Sequence, residues 1–207
     1  MSRRSRSSGR WLREHARDPY VRRARAQGAR SRATFKLEEI DRVEHLLAPG
    51  RTVVDLGAAP GGWSQYAAGR LGARGLVVAL DLLPMAAVPG VTFLQGDFRD
   101  PATVARLEEL LGGRPVELVM SDLAPNMTGV DVVDQARAAE LGELTLDFAG
   151  RVLAPGGVLL MKVFQGAGFA ALLAAARRRF ATVRIRKPAA SRQRSAETYL
   201  VAGRRAE

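Results

Sequence analysis

Cysteine is absent from all 207 residues. Disulfide scaffolds, thiolate metal sites and thiol nucleophiles are therefore excluded together, and no metal site is expected. Long apolar runs are missing as well. The longest, Phe169 to Ala176, has eight residues, far short of the roughly 20 that span a bilayer. The Arg-rich start has no apolar stretch behind it and does not read as a secretory signal, so a cytoplasmic location, no membrane partner and a monomer are expected. Lysine is scarce: of 32 basic residues only Lys36, Lys162 and Lys187 are lysines. Arginine keeps its proton in proteins, whereas a buried lysine can become a neutral base. These three are candidates for work that arginine cannot do.

The charge that is present is unevenly placed. The net +11 divides into +9 over residues 1–32, −6 over 33–176 and +8 over 177–207. The middle is an ordinary acidic domain, and the chain length supports one core rather than two. Cationic ends suit phosphate binding, because each neutralised phosphate releases counterions; the plainer reading is a solvated tail. Residues 1–30 show no sustained apolar period and are expected to form a basic arm. In it, Trp11 and Tyr20 interleave the arginines, as suits stacking on RNA. Residues 31–207 are expected to form a single domain.

From Arg32 the pattern changes. Phe35, Ile40, Val43, Leu46 and Leu47 fall at helical spacing, and Pro49-Gly50 closes that helix. Thr52 to Leu56 is a short β-branched run holding Asp55; the loop Gly57-Ala-Ala-Pro-Gly-Gly62 and a helix from Trp63 to Leu71 follow. Strands are expected at 76–80, 91–94, 117–120 and 158–163, and helices at 102–111, 135–153 and 168–178, with Pro155-Gly156-Gly157 stopping the long helix. The last two strands, 181–186 and 197–202, have no helix between them. The expected fold is α/β: a single Rossmann-like, mostly parallel seven-stranded sheet with an antiparallel last strand and helices on both faces.

Open α/β sheets bind ligands beyond the carboxyl ends of their strands. Asp55, Asp81, Asp97 and Asp122 fall at four successive strand ends. One such residue alone reads as a helix cap or turn residue; four in register with a glycine loop read as a ligand site. The loop lacks the G-x-G-x-x-G spacing for a pyrophosphate, and Asp55 would repel one, which disfavours a nicotinamide dehydrogenase. A cationic ligand with little phosphate suits it better. S-adenosylmethionine, with its ammonium and sulfonium beside an adenosine, is such a ligand. Asp81 is placed to accept the ribose hydroxyls, and Asp97 beside Phe98 to hold the adenine.

The segment Ser121-Asp-Leu-Ala-Pro-Asn-Met-Thr-Gly129 lacks the Pro-Pro-aromatic cluster typical of enzymes that methylate base amines. A hydroxyl acceptor follows, and a hydroxyl must be oriented and deprotonated. Lys162 lies within the apolar run Leu159-Leu-Met-Lys-Val-Phe164, where an unpaired ammonium is costly. Burial and a second cation both favour the neutral amine, and Lys36 is a candidate for that cation. Asp122 and Glu197 would offset and orient the pair. The plainer readings are an amine that snorkels from the sheet end at Lys162 and an exposed helix residue at Lys36.

Several motifs together resemble the FtsJ family of ribosomal RNA 2′-O-ribose methyltransferases, and its bacterial heat-shock-linked branch in particular. They are Arg30-Ser-Arg-Ala-Thr-Phe-Lys-Leu37, Val54-Asp-Leu-Gly-Ala-Ala-Pro-Gly-Gly-Trp-Ser-Gln65, Asp81-Leu-Leu-Pro-Met85 and Gln95-Gly-Asp-Phe-Arg-Asp100. The Ser121–Gly129 segment, Leu153-Ala-Pro-Gly-Gly157, Lys162-Val-Phe-Gln-Gly166, Arg186-Lys-Pro188 and Ser191–Tyr199 extend the likeness over nearly the whole chain. The resemblance implies an S-adenosylmethionine-dependent enzyme acting on a uridine ribose in the A loop of 23S ribosomal RNA, within the large subunit. It implies a catalytic set of Lys36, Asp122, Lys162 and Glu197, with Lys162 the general base. It also implies cofactor contacts from Gly61, Trp63, Asp81, Asp97 and Asp122; Gly57, Gly62 and Phe98 complete the expected cofactor set. Thr34 departs from the pattern, which has Trp there. A transfer RNA 2′-O-methyltransferase and a non-catalytic RNA-binding assembly factor are the alternative readings.

Overall fold

The computed structural model describes residues 18–126, 128–192 and 195–204. Seven strands form one sheet: β1 (Thr52–Leu56), β2 (Leu76–Asp81), β3 (Val91–Gln95), β4 (Val116–Ser121), β5 (Leu153–Phe164), β6 (Thr182–Arg186) and β7 (Glu197–Gly203). Their order is β3-β2-β1-β4-β5-β7-β6. The pairs from β3 to β5 are parallel, and β7 runs antiparallel to both β5 and β6. The expected mostly parallel seven-stranded sheet is therefore borne out. So is its reversed last strand, which sits between β5 and β6 rather than at the edge.

Side chains alternate between the two faces along each strand, and the two cores record the alternation. Val54, Leu56, Val78, Leu80, Val119, Leu159, Met161, Leu200 and Ala202 pack on one face with α4 (Pro101–Leu111), α5 (Asp131–Val152) and α6 (Phe169–Arg179). Val53, Val77, Leu118, Met120, Leu160, Tyr199 and Val201 pack on the other with α2 (Thr34–Glu44) and α3 (Gly62–Leu71). Helices thus cover both faces. A register shift between Val116 and Leu118 resets the phase of β4: Val116 belongs to the first core and Leu118 to the second.

Four local features differ from the sequence reading. The helix expected to be closed by Pro49-Gly50 is α2, which ends at Glu44 with His45 in the left-handed region as its cap. A helix, α1 (Pro19–Gln27), occupies the second half of the basic arm. Its only buried residues are Val21 and Ala24, too few to give an apolar period, but its ends carry the signals. Asp18 accepts the Tyr20 amide as N-cap, Pro19 opens the helix and Gly28 closes it. Tyr20 does not stand free to stack on RNA: its ring lies 5.8 Å from Phe35 and its hydroxyl donates to Glu39. Trp11 lies outside the described residues.

The long helix α5 starts at Asp131, four residues before its apolar period begins, because Asp134 collects the Thr128 and Gly129 amides and the Thr128 hydroxyl. Strand β5 takes in the Pro155-Gly156-Gly157 stop, pairing Leu153 with Val116 before the register shift. Among the described residues no helix is long and apolar enough to cross a membrane.

Candidate active site

The carboxyl ends of β1, β2 and β4 open on a cleft of about 510 Å³, within the range of small-molecule sites. Gly57, Asp81, Leu82, Leu83, Asp97, Phe98 and Asp122 are among its lining residues. Gly57 sits at a φ of +78°, and a Cβ there would come within 2.9 Å of the Leu123 amide nitrogen. Only glycine allows the two loops of the floor to approach so closely.

Both Asp81 oxygens hold the rim, one accepting the Ala59 amide and the other the Leu83 amide, each at 2.8 Å. A carboxylate oxygen has a second lone pair, so each remains able to accept a ligand hydroxyl. The Arg99 guanidinium grips the Asp97 carboxylate in a fork and holds it below the usual carboxylate range. Phe98 is buried beside it, edge-on to Phe148. Behind the cleft, Asp55 is fully buried: one oxygen accepts the Ser64 hydroxyl at 2.5 Å and the other has no hydrogen-bond partner among the described residues. Burial pushes this carboxyl up to about 7, the Ser64 hydroxyl opposes the rise, and the Asp122 and Asp81 carboxylates add to it.

An anionic cavity with an unpartnered carboxylate oxygen behind it fits a cationic nucleoside and repels a diphosphate. Not all of the expected cofactor set lines it. Gly61, Gly62 and Trp63 pack against the segment that leads into α2. The Trp63 indole donates to the Ala33 carbonyl at 2.8 Å, and a Cβ on Gly62 would lie 2.3 Å from the Ser31 hydroxyl and 2.7 Å from that of Thr34. Thr34, the departure noted in the sequence, is buried in this confined space.

Beside the cleft the four residues of the expected catalytic set come together. Strand parity explains how. Lys162 shares the face of Leu160, Glu197 that of Tyr199, and Asp122 that of Met120, all turned toward the face that α2 covers. The β5–β7 register then sets Tyr199 opposite Lys162 and Glu197 opposite Phe164. The Lys36 ammonium reaches across from α2 to Glu197 at 2.7 Å. Lys162 donates to the Asp122 backbone carbonyl at 2.6 Å and pairs with its carboxylate at 3.1 Å.

Between the two pairs the Tyr199 hydroxyl faces Asp122 Oδ1 at 3.1 Å and Glu197 Oε1 at 3.2 Å. The result is one continuous chain, Lys36–Glu197–Tyr199–Asp122–Lys162. Side-chain exposure is 8% at Lys162 and 13% at Lys36, so neither amine snorkels into solvent. Burial would raise the Glu197 carboxyl, but Lys36, with help from Lys162 and the Ser191 hydroxyl, holds it below its ordinary value. Burial and the two flanking carboxylates push the Tyr199 phenol well above its own, which keeps it a proton donor. The sequence reading missed Tyr199 and Ser191. The signal for Tyr199 was its place two residues after Glu197 on a strand, hence on the same face.

A model of FtsJ-like methyltransferases matches residues 29–205. The chain belongs to this family. Its members use S-adenosylmethionine, and the cleft's charge and shape agree. The chain is 57% identical over 198 residues to Ribosomal RNA large subunit methyltransferase E of Azoarcus sp. (strain BH72), covering 96% of this chain and 97% of that one. It is 55% identical over 199 residues to the protein of the same name from Pseudomonas aeruginosa, covering 96% of each. A Plasmodium falciparum crystal structure assigned as a ribosomal RNA methyltransferase superposes with a TM-score of 0.75 at 26% identity, covering 84% of this chain and 97% of that one. The sequence resemblance to the FtsJ family is thus confirmed for the chain as a whole.

Proposed function

We propose that this methyltransferase transfers a methyl group to a ribose 2′-hydroxyl, a uridine of the A loop, in 23S ribosomal RNA of the large subunit. The observation that carries this reading is the hydrogen-bonded chain from Lys36 to Lys162 beside an anionic cleft. The names of the relatives add the substrate class. When bound, S-adenosylmethionine supplies an electrophilic methyl group on a sulfonium and leaves as a neutral thioether. Asp81 would hold its ribose, Asp97 and Phe98 its adenine, and Asp122 would face its cationic end, with Asp55 buried behind the cleft.

The rest is the work of the chain's own side chains. Lys162 donates to the Asp122 backbone carbonyl at 2.6 Å and pairs with its carboxylate at 3.1 Å, which fixes the amine beside the cleft. The hydroxyl proton passes to Lys162 Nζ as the oxygen bonds to the methyl carbon. Lys36 and Glu197, fixed through Tyr199, position the ribose and keep the charges around Lys162 balanced. Orientation of the reacting atoms contributes most, and the base about 10²–10⁴-fold more. The exposed arginines of α1, together with residues 1–17, hold RNA phosphates, and the enzyme works as a monomer in the cytoplasm.

The test is transfer of a radiolabelled methyl group to free 23S RNA, to large subunits and to transfer RNA, followed by alkaline hydrolysis. Label in an alkali-resistant dinucleotide from the A loop of 23S RNA is the expected result. Label confined to transfer RNA, or to an alkali-sensitive product, overturns the reading. No transfer to any RNA makes the protein a non-catalytic binding factor.

A further inference from the structure

We propose that Arg30 is a positioning residue that links the cofactor-side loop to the helix carrying Lys36, so that cofactor binding and RNA binding reinforce each other. The RNA half of this inference rests on the function proposed above. Arg30 lies in the linker between α1 and α2, six residues before Lys36. Its guanidinium crosses to the other side of the site, where Nη1 donates to the carbonyls of Ala86 at 2.6 Å and Pro60 at 3.4 Å, and Nη2 to that of Ala87. Ala86 and Ala87 belong to the irregular connection between β2 and β3, which opens with the cleft-lining Leu82 and Leu83. Among the described residues, Arg30 is the only side chain that hydrogen-bonds the carbonyls of Ala86 and Ala87.

The other end of the link is equally fixed. The Gln65 side chain accepts the Arg30 amide and donates to the Gly28 carbonyl, both at 3.1 Å, tying the linker to α3. Three residues on, Ala33 accepts the Trp63 indole. The glycine loop makes room for the crossing: Gly61 has a φ of +101°, and a Cβ there would lie 2.9 Å from Met85 Sδ and 3.2 Å from Arg30 Cδ. The glycine-rich turn therefore serves as a passage between the two halves of the site as well as a cofactor loop.

The side-chain type also matters. Three carbonyls on three residues need a planar fork of donors, which a lysine ammonium does not offer. No carboxylate within ion-pairing distance of Arg30 occurs among the described residues, so its task is geometric rather than charge pairing. A ligand that orders the Leu82–Ala87 connection thereby orders the approach to Lys36, and the effect must be reciprocal.

The experiment measures the dissociation constant of S-adenosylmethionine by calorimetry, with and without a 23S ribosomal RNA transcript, for the full chain and for Arg30→Ala, Arg30→Lys and Gln65→Ala. For the parent chain, RNA is expected to tighten cofactor binding. Arg30→Ala is expected to weaken it about ten- to a hundredfold, as for lost charged hydrogen bonds, to raise the KM for RNA, and to abolish the tightening. Arg30→Lys is expected to keep the melting temperature without restoring the coupling. Gln65→Ala, which leaves the guanidinium in place, is expected to reduce the coupling partially and supplies the test if Arg30→Ala does not fold. A parent chain whose cofactor affinity ignores RNA, or an Arg30→Lys protein with parental coupling, overturns the proposal. If RNA is not the substrate at all, Arg30→Ala still weakens cofactor binding in the absence of RNA, which separates that failure from this one.

Discussion

The two halves of the site are built on opposite electrostatic plans. Among the described residues the donor-side acids stand largely without cations: Asp55 has only a hydroxyl and an unpartnered oxygen, and Asp81 only backbone amides. Asp97 alone has an arginine. On the acceptor side each acid faces a lysine, and a phenol bridges the pairs. The difference suits the reaction proposed above. A cleft whose acids are mostly without cationic partners would favour a cationic donor over its neutral thioether product. A balanced chain of buried ion pairs holds an amine in place and gives a passing proton somewhere to go without stranding a charge.

The largest expected effect tests the acceptor half. Lys162→Ala should cut turnover about 10²–10⁴-fold while the calorimetric affinity for S-adenosylmethionine stays within about threefold, because Lys162 does not line the cleft. Lys162→Arg should fail as badly. An active arginine variant would mean that charge alone suffices, and the contrast between the halves would lose its meaning.

Asp55 tests the donor half through pH. Its folded carboxyl titrates at about 7 against an ordinary value of 3.8, so the folded chain keeps a proton that the unfolded chain gives up. The associated stability is fully present below about pH 4 and is lost as pH rises to about 7, by up to roughly 4 kcal/mol for about three pKa units. Asp55→Asn should flatten that slope in chemical denaturation at about pH 5 and about pH 8. An equal slope in the variant would assign the pH dependence to other groups.

Asp81→Ala should weaken the cofactor about ten- to a hundredfold and leave RNA affinity nearly unchanged, as read by calorimetry and by filter binding. Equal losses on both ligands would show that the halves are not separable at this residue. The smallest effect concerns the arm. Removing residues 1–17, which carry six arginines, should flatten the logarithmic salt dependence of RNA binding by roughly 0.7–0.9 per lost phosphate contact without changing the melting temperature. Removing residues 1–30 should lower the melting temperature as well, because it strips α1 from Phe35, which is buried beneath it.

Much of the donor half is legible along the chain. Asp55, Asp81 and Asp97 fall at or just beyond the carboxyl ends of β1, β2 and β3, strands whose apolar runs are plain in sequence, and the turns that follow are local. Asp81 and Asp97 line the cleft as that pattern suggests. The acceptor half is less legible. Lys162 stands out because an ammonium inside an apolar strand is anomalous, whereas Glu197 enters as a counter-charge to the lysines and is placed by the family motif. Tyr199 was missed because a tyrosine on a strand is ordinary core until its partners are known. The Trp63 indole also holds the linker before α2, a contact that adjacency in sequence to a glycine loop does not announce.

Hydrophobic period, turn residues and side-chain chemistry are local properties of the chain. They were enough to set the order of helices and strands, the acids at the strand ends, and an arginine background from which Lys36 and Lys162 emerge as candidates. Long-range packing settled the rest. It brings Lys36 to Glu197 across 161 residues, inserts β7 antiparallel beside β5 so that Tyr199 stands opposite Lys162, and lets Arg30 span the two halves. Such contacts depend on sheet order, register and the phase shift in β4, which follow from how whole elements bury one another rather than from any residue's immediate neighbours.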